Sequence, residues 1–265
     1  MDLEDYERHL VGLLCWACHS ATGRCNARQR QCPRCRLKWS YDRKRTRWEL
    51  LKAFCPNATA HHAARFAQCD YRTAYRVYMH LCLTLGEMTA EEKRPLLGEL
   101  ELDESYFGGK RKGKRGRGAA GKVAVFGILE REGKVYTVAV PDCKKETLMA
   151  KIEAATVKGS VFSTDEFTSD NDLSRFGKHV PIDHSETYVN GPAHINGLEG
   201  FWSYAKGLHR PCHGVDRENF PVDLAEYEFR DNHRDEHRLT ILFDRLYKPE
   251  LIKGGLPWKI PHHLF

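Results

Sequence analysis

Leu100-Glu101-Leu102-Asp103-Glu104-Ser105-Tyr106-Phe107 alternates in polarity and carries a short acid at its centre. Period-two alternation of this kind predicts a strand, with Asp103 and Glu104 on opposite faces so that only one of them can join a cluster on a given side. Outward from it, Lys122 to Leu129 is an apolar strand, and Lys134 to Val140 is another after a Glu132-Gly133 turn. Asp142 or Thr147 then starts an amphipathic helix with Leu148, Ile152 and Ala155, which Gly159 stops. Ser160 to Thr164 reads as a short buried strand ending at Asp165, Leu173 to Phe176 as a short helix, and His179 to Ile182 as a strand. Ser185 to Pro192 is a loop, and Ala193 to Leu208 is a helix. The predicted order is β-β-β-α-β-α-β-α.

That order is the α/β layout of a ribonuclease H-like mixed sheet with flanking helices. In it the acids of the first and fourth strands are neighbours, and the last helix can bring a third over them. Asp103, Asp165 and Glu199 occupy those places. Three carboxylates can hold two divalent ions that clamp the attacking and leaving oxygens of a phosphodiester. Lys206 lies seven positions after Glu199, close to two helical turns, and so points the same way. A solvent-facing acid at a strand end is the commoner account of any one of these residues. Three in topological register, with a basic residue beyond the third, reverse that preference. Asn196, His194 and His184 are further candidates for contact with the site, although a hydrogen-bonded histidine is the plainer reading of each of the last two.

The charge distribution agrees. Net charge is +6, and ten Lys or Arg residues against the single acid Asp42 lie between Arg24 and Arg47. A second cluster among glycines contains Lys110, Arg111, Lys112, Lys114, Arg115 and Arg117. Such clusters attract a polyanion, and phosphate contacts of this kind position a duplex without reading its sequence. Ten cysteines include two C-x2-C pairs, Cys15/Cys18 and Cys32/Cys35, with thirteen residues between them. That spacing predicts a four-cysteine Zn2+ site. The other six (Cys25, Cys55, Cys69, Cys82, Cys143 and Cys212) read as free, mostly buried thiols of a reducing compartment.

Residues 1–45 therefore form a zinc ribbon by this reading. Residues 46–98 form a helical region with a helix from Arg47 to Phe54 capped by Thr46, a short helix capped by Asn57 or Thr59, and a longer one from Asp70 to Leu85. Gly86 and Pro95 bracket a linker. The two later helices suggest a helix-turn-helix in which Arg72 and Arg76 face DNA together. Residues 99–210 are the catalytic domain, and residues 211–265 a C-terminal extension packing on it, with Tyr227 to Arg234 expected to add basic contacts. A hydrophobic content of 41%, a mean hydropathy of −0.59 and the lack of any long apolar run predict a cytoplasmic chain with no membrane partner.

Taken together, Leu102 to Lys110, the basic glycine loop, Ser163-Thr164-Asp165 and His194-Ile195-Asn196-Gly197-Leu198-Glu199-Gly200-Phe201-Trp202-Ser203-Tyr204-Ala205-Lys206 resemble the bacterial insertion-sequence transposases of the IS1595 family, in the ISXO2-like or IS1016-like branch. The resemblance covers nearly the whole chain. It implies a DDE triad of Asp103, Asp165 and Glu199 followed by the basic Lys206, with two Mg2+ or Mn2+ ions per site. It further implies recognition of terminal inverted repeats by the zinc ribbon and helical region, hydrolysis at the element's ends, and attack of the freed 3′-hydroxyl on target DNA. The expected partners are double-stranded DNA and a second copy of the chain, in a dimer or larger nucleoid-associated assembly. A ribonuclease H-like nuclease or resolvase, and a non-catalytic zinc-ribbon regulator derived from a transposase, are the alternatives.

Overall fold

A computed structural model describes residues 15, 18, 20–24, 29–108, 122–165, 170–182, 196–212 and 217–247. The chain forms two compact units, residues 1–81 with 235–265, and residues 82–234. The first contains a small antiparallel sheet of β1 (Gly23–Arg24), β2 (Gln29–Gln31) and β3 (Lys38–Ser40) in that order. Helix α1 (Tyr41–Phe54) follows directly, because the Ser40 hydroxyl accepts from Arg43 N at 3.5 Å. The helix thus starts earlier than the Thr46 cap expected from sequence. Its opening Tyr41-Asp42-Arg43-Lys44 turn has no apolar periodicity to betray it, but Ser40 supplies the acceptor that a helix start needs.

Thr59 caps α2 (Ala60–Phe66), accepting from His62 N, and Asp70 caps α3 (Tyr71–Glu92), accepting from Thr73 N at 2.9 Å. Helix α3 runs straight through Gly86, where a linker was expected. A mid-helix glycine costs only about 1 kcal/mol. Leu85 and Met88, both buried, each contribute about 2 kcal/mol by leaving water and outweigh it.

The second unit is built on a five-stranded mixed sheet in the order β6-β5-β4-β7-β8. Its elements are β4 (Glu99–Phe107), β5 (Val123–Glu130), β6 (Val135–Val140), α4 (Lys145–Ala155), β7 (Val161–Asp165), α5 (Asp170–Phe176), β8 (Lys178–Ile182), α6 (Asn196–His209) and α7 (Phe220–Asn232). From β4 to α6 this is the β-β-β-α-β-α-β-α succession read from the sequence. Strands β4, β5 and β6 are antiparallel, while β7 and β8 run parallel to β4. Such a mixed sheet with helices fits a ribonuclease H-like domain.

The alternation of β4 separates two cores. Leu100 and Leu102 pack with Phe126, Ile128, Leu148, Ile152, Phe162 and Leu173 on the face covered by α4 and α5. Phe107 packs with Val125, Leu198, Phe201, Trp202, Ala205, Phe220 and Leu224 on the face covered by α6 and α7. Glu101, Asp103 and Ser105 share the parity of Phe107 and so face α6.

Helix α7 also closes one margin of the sheet. Asn232 accepts from Val135 N at 2.8 Å and donates to Val135 O at 3.0 Å. The buried Glu228 carboxylate accepts from Thr137 N at 2.8 Å and from its hydroxyl at 2.7 Å. The backbone groups of an edge strand are thereby used. The first unit also contains α8 (Arg238–Tyr247), whose Phe243 ring meets Trp48 edge-on at 6.0 Å.

Asp223, in the first turn of α7, has a buried Oδ2 with no hydrogen-bond partner among the described residues. Burial, reinforced by Glu226, raises its carboxyl to about 7. An unfolded aspartate ionises near about 3.9. The unfolded chain therefore binds fewer protons than the fold between these values, and stability falls as pH rises through that window. Asp223→Asn is expected to raise Tm at pH 8, with the gain shrinking towards pH 4. Thermal melts at both pH values check this, and an equal gain at each would contradict it.

Candidate functional site

Asp103 sits in the middle of β4, paired with Gly127 across β5. Its Oδ1 accepts from Glu104 N at 2.8 Å, and its Oδ2 accepts from the Trp202 indole Nε1 at 2.9 Å. Both oxygens are oriented, and each keeps lone-pair capacity for a cation. The indole reaches the carboxylate only because residue 127 has no side chain. A Cβ there would lie 2.6 Å from Trp202 Cζ2 and 3.0 Å from a Leu198 methyl. Gly127→Ala is expected to displace the indole and destabilise the fold by about 1–3 kcal/mol, the usual penalty of overpacking. The Trp202 Nε1–H resonance and Tm would report it; an unmoved resonance would show that the strand accommodates the methyl.

Asp165 ends β7, which lies beside β4. Leu102 pairs with Thr164, so Asp103 and Asp165 each stand one residue beyond the same parallel pair. The Asp165 side chain lies outside the described positions. Glu199 occupies the exposed side of the first turn of α6, whose apolar side (Leu198, Phe201, Trp202 and Ala205) is buried on the sheet. Two turns on, Lys206 Nζ lies 5.9 Å over the Phe107 ring. Burial lowers its ammonium below the ordinary lysine range, the Asp103 carboxylate pulls it back up, and Lys122 lowers it further. Lys206 and Asp103 therefore feel each other's charge. Asn196, exposed, begins the same helix.

Hard divalent cations take carboxylate oxygens, and the donor set on β4, β7 and α6 is of that kind. Among the described residues, however, the one group of Cys, His, Asp or Glu already close enough to share an ion is Cys15, Cys18, Cys32 and Cys35. Their ligand atoms lie within 4.8 Å of one another, with Cys15 Sγ 3.4 Å from Cys35 Sγ and Cys18 Sγ 3.5 Å from Cys32 Sγ. Four sulfurs about 2.3 Å from one Zn2+ would be about 3.8 Å apart, so the quartet fits a tetrahedral ion. Each pair is turned inward by its own backbone, with Cys15 N donating to Ser20 O at 2.8 Å and Cys32 N to Leu37 O at 3.0 Å. Hydrogen bonding to Ser20 lowers the Cys18 thiol to about 6.

Arg72 and Arg76 are both exposed on the first two turns of α3. Lys110, Arg111, Lys112, Lys114, Arg115 and Arg117, together with His184 and His194, lie outside the described residues. Two expectations are corrected. Within Tyr227 to Arg234, Arg230 offers nothing to a partner, being 2% exposed and paired to Glu226 at 2.8 Å, whereas Arg234 is exposed. Among the described cysteines outside the quartet, Cys82 is buried, Cys55, Cys69 and Cys143 are half-buried, and Cys212 is exposed, so these thiols are not mostly buried. Sequence reasoning overlooked Glu101, Trp202 and Gly127. Parity was the available signal, since Glu101 shares a face with Asp103.

Comparison with known proteins bears on this arrangement. The family model of the ISXO2-like transposase domain matches residues 95–232, from just before β4 to the end of α7. An uncharacterized transposase-like protein of Haemophilus influenzae is 34% identical over 126 residues, which cover 46% of this chain and 97% of that protein.

Proposed function

We propose that this chain, which belongs to the IS1595 family of ISXO2-like transposases, cuts DNA at the ends of an insertion element and joins the freed 3′-hydroxyl to target DNA. A transposase is a DNA-processing enzyme, and among the described residues no helix is long and apolar enough to cross a membrane. The observation that carries the finer reading is the pairing of β4 with β7, which puts Asp103 and Asp165 one residue past a shared backbone pair, with the helix bearing Glu199 packed on β4.

In this reading Asp103, Asp165 and Glu199 hold two Mg2+ or Mn2+ ions, which supply Lewis-acid neutralisation of charge developing at phosphorus. Trp202 fixes the Asp103 carboxylate, and Lys206 takes a phosphate oxygen beside the scissile bond. The basic loop, Lys110, Arg111, Lys112, Lys114, Arg115 and Arg117, grips phosphates along the duplex. Arg72 and Arg76 on α3 join the Zn2+-bound quartet, Cys15, Cys18, Cys32 and Cys35, in recognising terminal inverted repeats. Residues 1–45 form the ribbon, 46–98 the DNA-binding helices, 99–210 the catalytic domain and 211–265 a C-terminal extension, of which α7 packs on the large sheet and α8 belongs to the first unit. Two element ends need two active sites, so a dimer or larger assembly forms on DNA in the bacterial cytoplasm.

The test is incubation with the chain's own flanking genomic DNA and Mg2+, followed by mapping of nicks and joined products. Nicks at both element ends with strand-transfer products support the reading. Cutting without joining would make the chain a nuclease or resolvase, and binding without cutting would make it a regulator.

A further inference from the structure

We infer that Glu101 is a positioning residue of the acid cluster, its buried carboxylate holding the first turn of α6 against β4 and thereby setting where Glu199 stands. The inference rests on the reading of Glu199 as a site acid. Glu101 is 1% exposed and lies two residues before Asp103, so both side chains leave the same face of the strand. Its Oε2 accepts from Leu198 N at 2.9 Å, across a separation of 97 residues. That amide belongs to the first helical turn, where backbone donors have no partner within the helix and negative charge is favoured. Its Oε1 is 3.6 Å from Arg131 Nε, and Arg131 is held in turn by Glu99 at 2.6 Å.

The approach of helix to strand is as close as the chain allows. A Cβ on Gly197 would lie 2.2 Å from Leu129 Cδ2 and 2.9 Å from Glu101 Oε2. Four residues after Leu198, Trp202 binds Asp103 from the same helix. Glu199 therefore lies between two fastened points, at residues 198 and 202, both anchored on β4. A buried carboxylate is expensive unless paired, and an apolar residue would fill the space at less cost. A carboxylate does what an apolar residue cannot, which is to hold one particular helix amide.

The test is a double-mutant cycle on Mn2+ affinity, measured by electron paramagnetic resonance on the full-length, zinc-loaded protein without DNA. Glu101→Ala is expected to weaken Mn2+ binding by about 10-fold, the usual effect of losing a partner that orients a ligand. Glu101→Gln, which keeps an acceptor for Leu198 N, should restore most of that loss. Combined with Glu199→Gln, Glu101→Ala should add nothing, because it acts through Glu199. Wild-type affinity in folded Glu101→Ala, or losses that add in the double variant, would overturn the inference. If Glu101→Ala does not fold, Gly197→Ala goes through the same cycle, and unchanged affinity there overturns it equally. If Glu199→Gln itself leaves Mn2+ binding intact, the assignment of the acid cluster fails first and the inference with it.

Discussion

Asp103→Asn is expected to abolish strand cleavage while leaving DNA affinity within about twofold of wild type. In the proposed mechanism the carboxylate would hold cations that stabilise transition-state charge by several kcal/mol, and about 4 kcal/mol is about 10³-fold in rate. The asparagine oxygen can still accept the Trp202 indole hydrogen bond made at 2.9 Å, and the change gives up only the acceptor for Glu104 N at 2.8 Å, so the fold should persist with a modest loss of stability. Asp165→Asn and Glu199→Gln should behave alike, and the three losses should not multiply, because acids sharing one pair of cations would act as a unit. Cleavage of end-bearing DNA in Mg2+, with a parallel gel-shift measurement, decides the matter. Loss of DNA binding in all three variants, with Mn2+ affinity unchanged, would remove these residues from catalysis.

Stripping the Cys15, Cys18, Cys32 and Cys35 quartet of metal is expected to unfold the small sheet around it. Strands of two and three residues give little pairing, and in the segment from β1 to β3 Trp39 is the large apolar side chain that is buried, with Leu37 37% exposed. So little core cannot hold a fold, whereas a structural Zn2+ contributes on the order of 10 kcal/mol to one. Cys32→Ser with Cys35→Ser should abolish stoichiometric zinc and weaken binding to element ends by at least about tenfold. Melting of the five-stranded unit should change little. Zinc released on thiol modification, measured beside end-specific binding, tests this. Specific binding that persists without bound zinc would separate the ribbon from recognition.

The succession from β4 to α6 was legible because each element carries its own period. Leu100 to Phe107 alternates, and Leu198, Phe201, Trp202 and Ala205 recur at helical spacing. Asp103 and Asp165 could be singled out because they sit on or end apolar strands, and Glu199 because a lysine follows on the same helical face. What stayed hidden depends on partners distant in the chain. Glu101 looks like a surface acid until an amide 97 residues away is brought to it. Trp202 looks like core until Asp103, 99 residues earlier, accepts its N–H. Gly86 was read as a break because its weak propensity is local, whereas the buried Leu85 and Met88 that carry the helix through it act by packing.

The two outer margins of the large sheet bear on how such a protein survives crowding. At β6 the amides of Val135 and Thr137 are already spoken for by Asn232 and Glu228. At β8, the outermost described strand opposite, Pro181 lacks an amide proton and Lys178 brings a charge. Both are known deterrents to recruiting a foreign strand. Copies gathered on one DNA molecule, at high local concentration, would thus be discouraged from fusing sheet to sheet into amyloid-like stacks.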